Sequence, residues 1–404
     1  MIKLDIKNAG INKDAFQKNK KLLPAYLKKI HSKKQGFYSV IDDGKVVKKI
    51  EAFAKTARKK YKNFVILGIG GSALGATCLK QSLTHLFRSP TLYVLDNIDP
   101  VLIKEFSESI DYKKTLFVVI TKSGTTPETI SQYLYFREQI EKKKLTTRNH
   151  FVFVTDPSDG YLREVAEKEK IASFGIPKNV GGRFSVLTSV GLLPAALLGL
   201  NIKNLLKGAK KMRNEFLNLK IEKNTPFKLA LVQYLAYTQG KSINVFMPYS
   251  QKLIGFADWL RQLYAESLGK NGKGITPIPA LGVTDQHSQI QLYNEGPNDK
   301  LIVFLETENN GEKIEIPNWP LNKKLSFNQL FEIEKEATKK ALTKYGRPNL
   351  TLKISKIDEE NLGELFMLFE GAVAFLGEFL KINAYDQPGV ELSKKLTKQA
   401  ILKL

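Results

Sequence analysis

Residues 115–130 read TLFVVITKSGTTPETI, and this stretch predicts a strand that leads through a polar loop into a helix. The run from Thr115 to Ile120 is short, apolar and rich in β-branched residues, as is typical of a strand buried on both faces. Pro127 suits the first position of a helix. A buried strand followed by a helix is the repeating unit of a parallel sheet that helices cover.

The same alternation continues on both sides of this stretch. Further apolar runs predict strands at 64–67, 91–95, 151–155, 242–248, 300–306 and 349–354. Helical patterns lie between them, from the glycine-rich loop to about Arg88, up to Glu141, and at 226–239, 253–269, 328–345 and 361–380. The sequence therefore predicts an α/β protein with two tandem three-layer αβα sandwich domains and mainly parallel sheets.

The chain has 404 residues, which is longer than most domains with a single hydrophobic core. Its length therefore also favours two domains. Lysine-rich amphipathic patterns at 16–34 and 44–60 predict helices before the first domain, and a last helix is predicted after Gly389. The predicted divisions are an N-terminal helical extension at 1–50, α/β domains at 51–205 and 206–384, and a C-terminal helix at 385–404.

Composition excludes several classes of protein. A single cysteine, Cys78, excludes a disulfide framework and a multi-thiolate metal site. The first residues, MIKLDIKNAGINKDAF, lack the apolar run of an export signal. We therefore expect a cytoplasmic protein.

Phe184 to Ile202 is free of charge and long enough to span a bilayer. Its polar residues, the internal Pro194 and the lack of a second such segment favour a helix buried in a large core, so no membrane association is expected.

The net charge of +23 is spread along the whole chain as scattered lysines. A nucleic-acid-binding protein would concentrate its basic residues on one face with aromatic residues for stacking. The pattern favours a lysine-rich solvated surface without a nucleic-acid partner, whose field can help to collect an anionic substrate.

The loop LGIGGSALG, residues 67–75, follows a predicted strand and opens a helix. Gly68, Gly70 and Ala73 fit a dinucleotide-binding pattern, and Asp96 could bind a ribose. However, Asp96 lies further along the chain than is usual for such an acid. Close packing of a strand against a helix is the alternative reason for these glycines.

The polar part of the opening stretch places Thr121, Ser123, Thr125 and Thr126 before the predicted helix, next to Lys122. Hydroxyl groups and free backbone N–H groups at a helix N-terminus suit a phosphate. The alternative is a capping box formed by Thr125 and Glu128. A cap needs only one or two hydroxyls, so the sequence favours a phosphate site.

Four further segments carry ionisable groups in glycine-rich or polar surroundings: GGRFSVLTSVG with Arg183, QLYAESLGK with Glu266, TDQHSQ with His287, and YDQPGVELSK with Lys394. Taken singly, each has an ordinary structural explanation. Arg183 and Glu266 could form a structural ion pair, His287 could cap a helix, and Lys394 could be a solvated surface group.

Two more motifs, GIGGSALG and TKSGTTPET, belong with these four. Taken together, the six motifs resemble those of the phosphoglucose isomerase family in its shorter bacterial form. They occur in the family's order from Gly68 to Lys394 and so cover nearly the whole chain. The motifs around Arg183 and from Tyr385 to Lys394 are the family's signatures. The resemblance implies two sugar-isomerase α/β sandwich domains, in agreement with the fold predicted from the strand pattern.

The resemblance also implies a reaction, the reversible conversion of glucose 6-phosphate to fructose 6-phosphate without cofactor or metal. Glu266 would move a proton between C1 and C2 through a cis-enediolate, and Arg183 would stabilise the negative oxygen. His287 and Lys394 would open the sugar ring, with His287 contributed by the other subunit of a homodimer. The implied substrate-binding residues are Gly71, Ser72, Thr121, Lys122, Ser123, Thr126, Gln262 and Gln387, of which Ser72 and residues 121–123 and 126 would hold the phosphate.

Three alternatives remain at this stage. A regulator on the same fold would bind a sugar phosphate without turnover and would not need Glu266, His287 and Lys394 together. An isomerase of this fold could also accept mannose 6-phosphate. A dehydrogenase would use the Gly68 loop to bind a nicotinamide dinucleotide.

Overall fold

Two five-stranded sheets organise the described part of the chain. The computed structural model describes residues 2–87, 91–309, 311–319 and 324–403, so the predicted helix end at Arg88 lies outside it. The strands are β1 (Lys3–Asp5), β2 (Asn63–Leu67), β3 (Thr91–Leu95), β4 (Thr115–Ile120), β5 (Phe151–Thr155), β6 (Ala172–Gly175), β7 (Ile243–Pro248), β8 (Thr276–Pro279), β9 (Lys300–Thr307), β10 (Glu315–Ile316), β11 (Leu325–Ser326) and β12 (Asn349–Ile354).

Helices precede, separate and follow these strands. They are α1 (Lys13–Asn19), α2 (Leu23–Ser32), α3 (Gly44–Lys60), α4 (Leu74–Leu83), α5 (Pro100–Ser109), α6 (Pro127–Lys142), α7 (Thr147–His150), α8 (Tyr161–Glu169), α9 (Ser189–Leu197), α10 (Ile202–Phe216), α11 (Thr225–Thr238), α12 (Ile254–Leu268), α13 (Ile290–Glu295), α14 (Phe327–Lys344), α15 (Glu359–Leu380) and α16 (Glu391–Ile401).

The first sheet has the strand order β3-β2-β4-β5-β6, and all its strands are parallel. The second has the order β1-β12-β9-β7-β8 and is parallel except for β1, which pairs antiparallel with β12. Strands β10 and β11 form a separate antiparallel pair. The predicted class, α/β with mainly parallel sheets, is confirmed.

Each sheet is buried on both faces because its strands alternate between two cores. In β4, Val118 and Ile120 belong to an inner core shared by both sheets, whereas Phe117 and Val119 belong to an outer core under α5, α6 and α8. A third cluster lies on the outer face of the second sheet under α13 and α14. The inner core contains residues of α9, α10, α11, α12 and α15, so the two sheets enclose a common layer of helices.

The uncharged segment at 184–202 contains α9, which is buried over its whole length. The core-helix prediction is therefore confirmed. Within the described ranges, no helix is both long and apolar enough to cross a membrane.

The prediction was less accurate at short elements. Helix α4 ends at Leu83, earlier than predicted, and Thr84 continues in extended conformation. Strands β1, β6, β8, β10 and β11 and helices α7 and α8 were not predicted. Strand β1 comes from the N-terminal residues, yet it extends the second sheet.

Candidate active site

The loops that follow β2 and β4 lie side by side because these two strands are paired in parallel. Ligands of open α/β sheets bind at this edge, beyond the carboxyl ends of the strands. The loop after β2 forms a short 3-10 turn at Gly70–Ser72, and the loop after β4 leads into α6 at Pro127.

The glycines after β2 let this loop approach two other parts of the chain. A Cβ atom on Gly71 would lie 2.4 Å from the carbonyl carbon of Gly182, and one on Gly70 would lie 2.9 Å from Nε2 of Gln262. Gly70 also has a φ of +56°, which favours glycine. Close packing therefore accounts for Gly70 and Gly71, although the contacts are with the Gly182 turn and α12 rather than with α4.

Three hydroxyl groups of the loop after β4 face one another. Thr121 Oγ1 lies 2.6 Å from Thr126 Oγ1 and 3.5 Å from Ser123 Oγ, and Ser123 Oγ lies 3.4 Å from Thr126 Oγ1. The alternative for this loop, a capping box of Thr125 and Glu128, does not form: Thr126 is the residue before the first helical residue, and its side chain makes no capping hydrogen bond. The loop thus has hydroxyl donors at a helix N-terminus that capping does not use.

Lys122 points away from these hydroxyls. Its Nζ donates to the backbone carbonyls of Lys178 (2.8 Å) and Val180 (2.9 Å). Burial lowers its pKa, and nearby Asp156 acts in the opposite direction. The ammonium group therefore ties the loop to the segment before Arg183 rather than lying in the hydroxyl cluster.

Thr129, one turn after Thr126, was missed by sequence analysis. Its hydroxyl is buried and has no hydrogen-bond partner among the described residues. Residues three apart share a helix face, so Thr129 places a fourth hydroxyl on the Thr126 side of the first turn. The spacing TTPET was the signal that could have found it.

Arg183 lies at the centre of the second part of the site and is only 3% exposed. Its Nε donates to Ser267 Oγ (2.7 Å), its Nη2 to the carbonyls of Ala384 (2.7 Å) and Asp386 (2.9 Å), and its Nη1 to Glu266 Oε1 (3.2 Å) and Gln387 Oε1 (3.1 Å). All five N–H donors of the guanidinium thus have an acceptor. Burial lowers the pKa of Arg183, while the charge of Glu266 acts against this shift.

The two edges of the guanidinium differ. Backbone carbonyls and the buried Ser267 hold Nε and Nη2 at 2.7–2.9 Å, whereas Nη1 makes longer bonds to two side chains. Side chains can turn aside when a ligand arrives, but backbone carbonyls cannot. Nη1 is therefore the edge at which Arg183 can meet a negative oxygen.

Glu266 projects from the last turn of α12 and is 27% exposed at its side chain. Gln262, one turn earlier, donates from Nε2 to Glu266 Oε2 (2.9 Å). Each carboxylate oxygen therefore accepts one hydrogen bond and retains a free lone pair. A carboxylate held in this way can accept a proton from a ligand beside it.

His287 and Lys394 are not brought to this cluster within the chain. His287 ends a 3-10 turn at Thr284–His287 and is exposed. Lys394 lies on α16, is 61% exposed at its side chain and forms an ion pair with Glu391 (2.9 Å). The structure thus assembles Glu266, Arg183, Gln262, Gln387 and the glycine loop, but leaves these two residues on the surface.

The arrangement combines a proton acceptor, a fixed cation and a hydroxyl-rich helix N-terminus at the edge of one sheet. A carboxylate can abstract a carbon-bound proton when a cation stabilises the anion that forms. The hydroxyl cluster suits a phosphate. The geometry is that expected for proton transfer on a phosphorylated substrate.

Comparisons with known proteins point to the same chemistry. A profile of the family described as phosphoglucose isomerase matches residues 17–304 and 323–404. The sequence is 45% identical, over 377 residues, to a glucose-6-phosphate isomerase of Carboxydothermus hydrogenoformans, covering 87% of this chain and 81% of the relative.

Two solved structures are also similar. A protein of Thermus thermophilus described as hypothetical has a TM-score of 0.93 at 34% identity, covering 99% of this chain and 100% of that one. A glucose-6-phosphate isomerase of Chlamydia trachomatis has a TM-score of 0.88 at 22% identity, covering 99% of this chain and 88% of that one. The second likeness supports the fold alone.

Proposed function

This chain belongs to the phosphoglucose isomerase family, and we propose that it interconverts glucose 6-phosphate and fructose 6-phosphate. The observation that carries this proposal is the contact between Glu266 and Arg183 at the sheet edge that also bears the hydroxyl cluster. A regulator that only binds a sugar phosphate would need the hydroxyl cluster but not the paired base and cation.

Glu266 acts as the base in this proposal. It removes the proton from C2 of the open aldose: the electron pair of the C2–H bond forms the C1–C2 double bond, and the π pair of the C1 carbonyl moves to O1, which gives a cis-enediolate. The proton of the C2 hydroxyl passes to O1, Glu266 returns its proton to C1, and O2 forms the carbonyl of the ketone, so that no atoms are gained or lost. Nη1 of Arg183 stabilises the enediolate oxygen, whose charge exists only along the reaction path.

The phosphate is held by the loop after β4 and by Ser72, at the other end of the open sugar. Thr121, Ser123 and Thr126 supply hydroxyl donors, and the first turn of α6 supplies free backbone N–H groups. Lys122 contributes by fixing the loop and through its charge, since its nitrogen donates to carbonyls.

We infer that the active unit is a homodimer in which His287 of one subunit serves the site of the other. His287 is exposed and makes no hydrogen bond with Glu266 or Arg183, although ring opening needs an acid and a base at the sugar. Helix α16 has no buried residue, and Leu392 and Leu396, one turn apart, are 67% and 55% exposed. Apolar side chains left in water in this way favour a protein interface.

We place the enzyme in the cytoplasm, in line with the single, buried and free Cys78.

The proposed function is tested by measuring the conversion of glucose 6-phosphate to fructose 6-phosphate in a coupled assay. The buffer contains a chelator that removes metal ions. We expect the wild type to turn over, and Glu266→Gln to lower kcat by about 10²- to 10⁴-fold because the amide cannot accept the proton. The control is Glu138→Gln, an exposed carboxylate of α6 that pairs with Lys142, which should leave kcat unchanged.

Three results would contradict the proposal. Substrate binding without turnover by the wild type would favour the sugar-phosphate-binding regulator. Unchanged turnover in Glu266→Gln would exclude this residue as the base. A strict requirement for a nicotinamide dinucleotide would favour the dehydrogenase.

A further inference from the structure

Lys270 lies two residues beyond α12, and its side chain is 8% exposed. Its Nζ donates to the carbonyl of Ser267 (3.1 Å), donates to the carbonyl of Asn383, and forms an ion pair with Asp386 Oδ1 (3.0 Å). The three donors of the ammonium group thus each have an oxygen acceptor. Nothing in the proton transfer described above uses this residue.

These acceptors lie on the two segments that hold Arg183. Helix α12 supplies Ser267 Oγ and Glu266, and the loop at 383–387 supplies the carbonyls of Ala384 and Asp386 and the side chain of Gln387. Lys270 connects these same two segments. Arg183 reaches both segments from a third part of the chain, whereas the Lys270 contacts join the two segments directly.

Asp386 links the two cations directly. Its backbone carbonyl accepts from Arg183, while its side chain accepts from Lys270 and from Asn383 Nδ2 (2.8 Å). Burial would raise the pKa of Asp386, but the hydrogen bonds from Lys270 and Asn383 hold it below its ordinary value. Burial lowers the pKa of Lys270, and Asp386 opposes that shift.

We propose that Lys270 is a positioning residue for the isomerisation: it clamps the 383–387 loop onto the end of α12, so that Nη1 of Arg183 stays aligned with Glu266. The inference rests on the proposed function. Without the clamp, the loop can shift and the guanidinium loses the geometry that the enediolate requires. A misplacement of about 1 Å at a reacting centre can cost about 10²-fold in rate.

Lys273 provides a matched control. It follows α12 by a few residues, and its Nζ donates to the carbonyl of Leu380 (2.9 Å), the last residue of α15. Its side chain therefore ties the segment after α12 to the end of α15 and makes no hydrogen bond to residues 383–387. Loss of this contact should affect stability in a similar way without moving Arg183.

The experiment compares Lys270→Met with Lys273→Met in the full-length enzyme. We expect Lys270→Met to lower kcat by about 10- to 100-fold and to change KM less than about twofold, because the phosphate is held elsewhere. Lys273→Met should keep kcat within about twofold of the wild type. Thermal unfolding of both variants shows whether the fold is retained.

Two inhibitors separate alignment from general damage. A hydroxamate analogue carries the negative charge of the enediolate, whereas a hexitol 6-phosphate carries only the phosphate and hydroxyls. Lys270→Met should lower the affinity for the hydroxamate in proportion to the loss in kcat/KM and leave the affinity for the hexitol phosphate unchanged. Equal weakening of both inhibitors would contradict an alignment role.

A second variant covers the case in which Lys270→Met does not fold. Asp386 is half exposed, so Asp386→Ala should fold. We expect it to lower kcat by about 3- to 10-fold with little change in KM, as for Lys270→Met. If both fold, the double variant should lose less than the product of the two single losses, because they break one clamp. An unaltered kcat in Asp386→Ala, or fully multiplicative losses, would overturn the inference. Absence of turnover in the wild type would instead contradict the proposed function.

Discussion

The burial of Arg183 is offset by acceptors that come from distant parts of the chain. A buried guanidinium without acceptors would lower the stability of the fold by roughly several kcal/mol. The site is therefore stable only while all of these groups stay together. Two acceptors lie on α12 and three in the loop at 383–387. A single residue thus makes the geometry of the site depend on two segments that are far apart in sequence.

Arg183→Lys tests whether the site needs the forked guanidinium group, with donors on two edges, rather than a positive charge alone. Lysine supplies donors from one nitrogen and cannot satisfy Ser267, Ala384 and Asp386 on two edges while also meeting the enediolate. We expect kcat to fall by about 10²- to 10³-fold and KM to change less. Steady-state kinetics in both directions measure this.

Arg137→Lys is the control for that exchange, since Arg137 pairs with Glu141 and Glu169 on the outer side of the first sheet. Its turnover should match that of the wild type. If Arg183→Lys kept kcat within about tenfold of the wild type, a point charge would suffice and the fork would not matter.

How far the site could be predicted is clear from Arg183. The sequence identified its motif and allowed an ion pair with Glu266, which the structure contains. Its contacts with Ser267, Ala384 and Asp386 could not be predicted, because no local pattern shows which distant carbonyls a side chain will meet. Lys270 was missed for the same reason.

At the level of elements, strands β3, β4, β5 and β12 have the predicted bounds. The first three are short, mainly apolar runs, whereas β12, NLTLKI, alternates polar and apolar residues. The short strands β1, β6 and β8 carry no such run and form only because a neighbouring strand offers a free edge. The capping box of Thr125 and Glu128, which was the alternative to a phosphate site, does not form, since Thr126 rather than Thr125 precedes the first helical residue.

The loop after β4 should bind substrate without taking part in the proton transfer. Thr126→Val keeps the shape of the side chain but removes the hydroxyl that lies 2.6 Å from Thr121. One hydrogen bond to a charged group is worth about 1.5–3 kcal/mol, so we expect KM to rise about 10-fold or more with a smaller change in kcat. Thr146→Val, an exposed residue before α7, should change neither. A large fall in kcat with unaltered KM would refute this role.

Helix α15 contains a carboxyl group that should make stability depend on pH. Glu370 is fully buried, its two oxygens have no hydrogen-bond partner among the described residues, and burial raises its pKa well above the ordinary value. The folded state therefore keeps the proton while the unfolded chain releases it. This favours the unfolded state increasingly as the pH rises above the ordinary carboxyl range, by up to about 1.4 kcal/mol per pH unit.

Glu370→Gln removes this titration. Compared with the wild type, the variant should gain relative stability from about pH 5 to pH 8, and the gap should narrow towards pH 4. Urea unfolding at several pH values measures the difference. A constant difference between the two proteins across this range would show that Glu370 does not titrate differently in the folded and unfolded states.

At the scale of the whole molecule, the two sheets share one inner core, and the site lies where loops of the first sheet meet α12 and the loop after α15. The site therefore needs both halves of the chain. Glu266 and Arg183, the proposed base and cation, contact each other within one chain, but the two proposed ring-opening residues lie on exposed elements. In the proposed homodimer, His287 of one subunit would reach a sugar bound at Glu266 of the other.

Heterodimers of inactive variants test this arrangement. Chains with Glu266→Gln and with His287→Ala are co-expressed with different affinity tags, and the mixed dimer is purified. If His287 acts across the interface, one of the two sites contains both native residues, and the dimer should have about half of the wild-type activity. The reverse pair, wild type with a chain carrying both substitutions, should then be nearly inactive, since each site lacks one residue.

If His287 acts within its own chain, the outcomes exchange: the first pair is inactive and the second retains about half of the wild-type activity. The two pairs have the same composition, so a difference between them reports which subunit supplies the histidine.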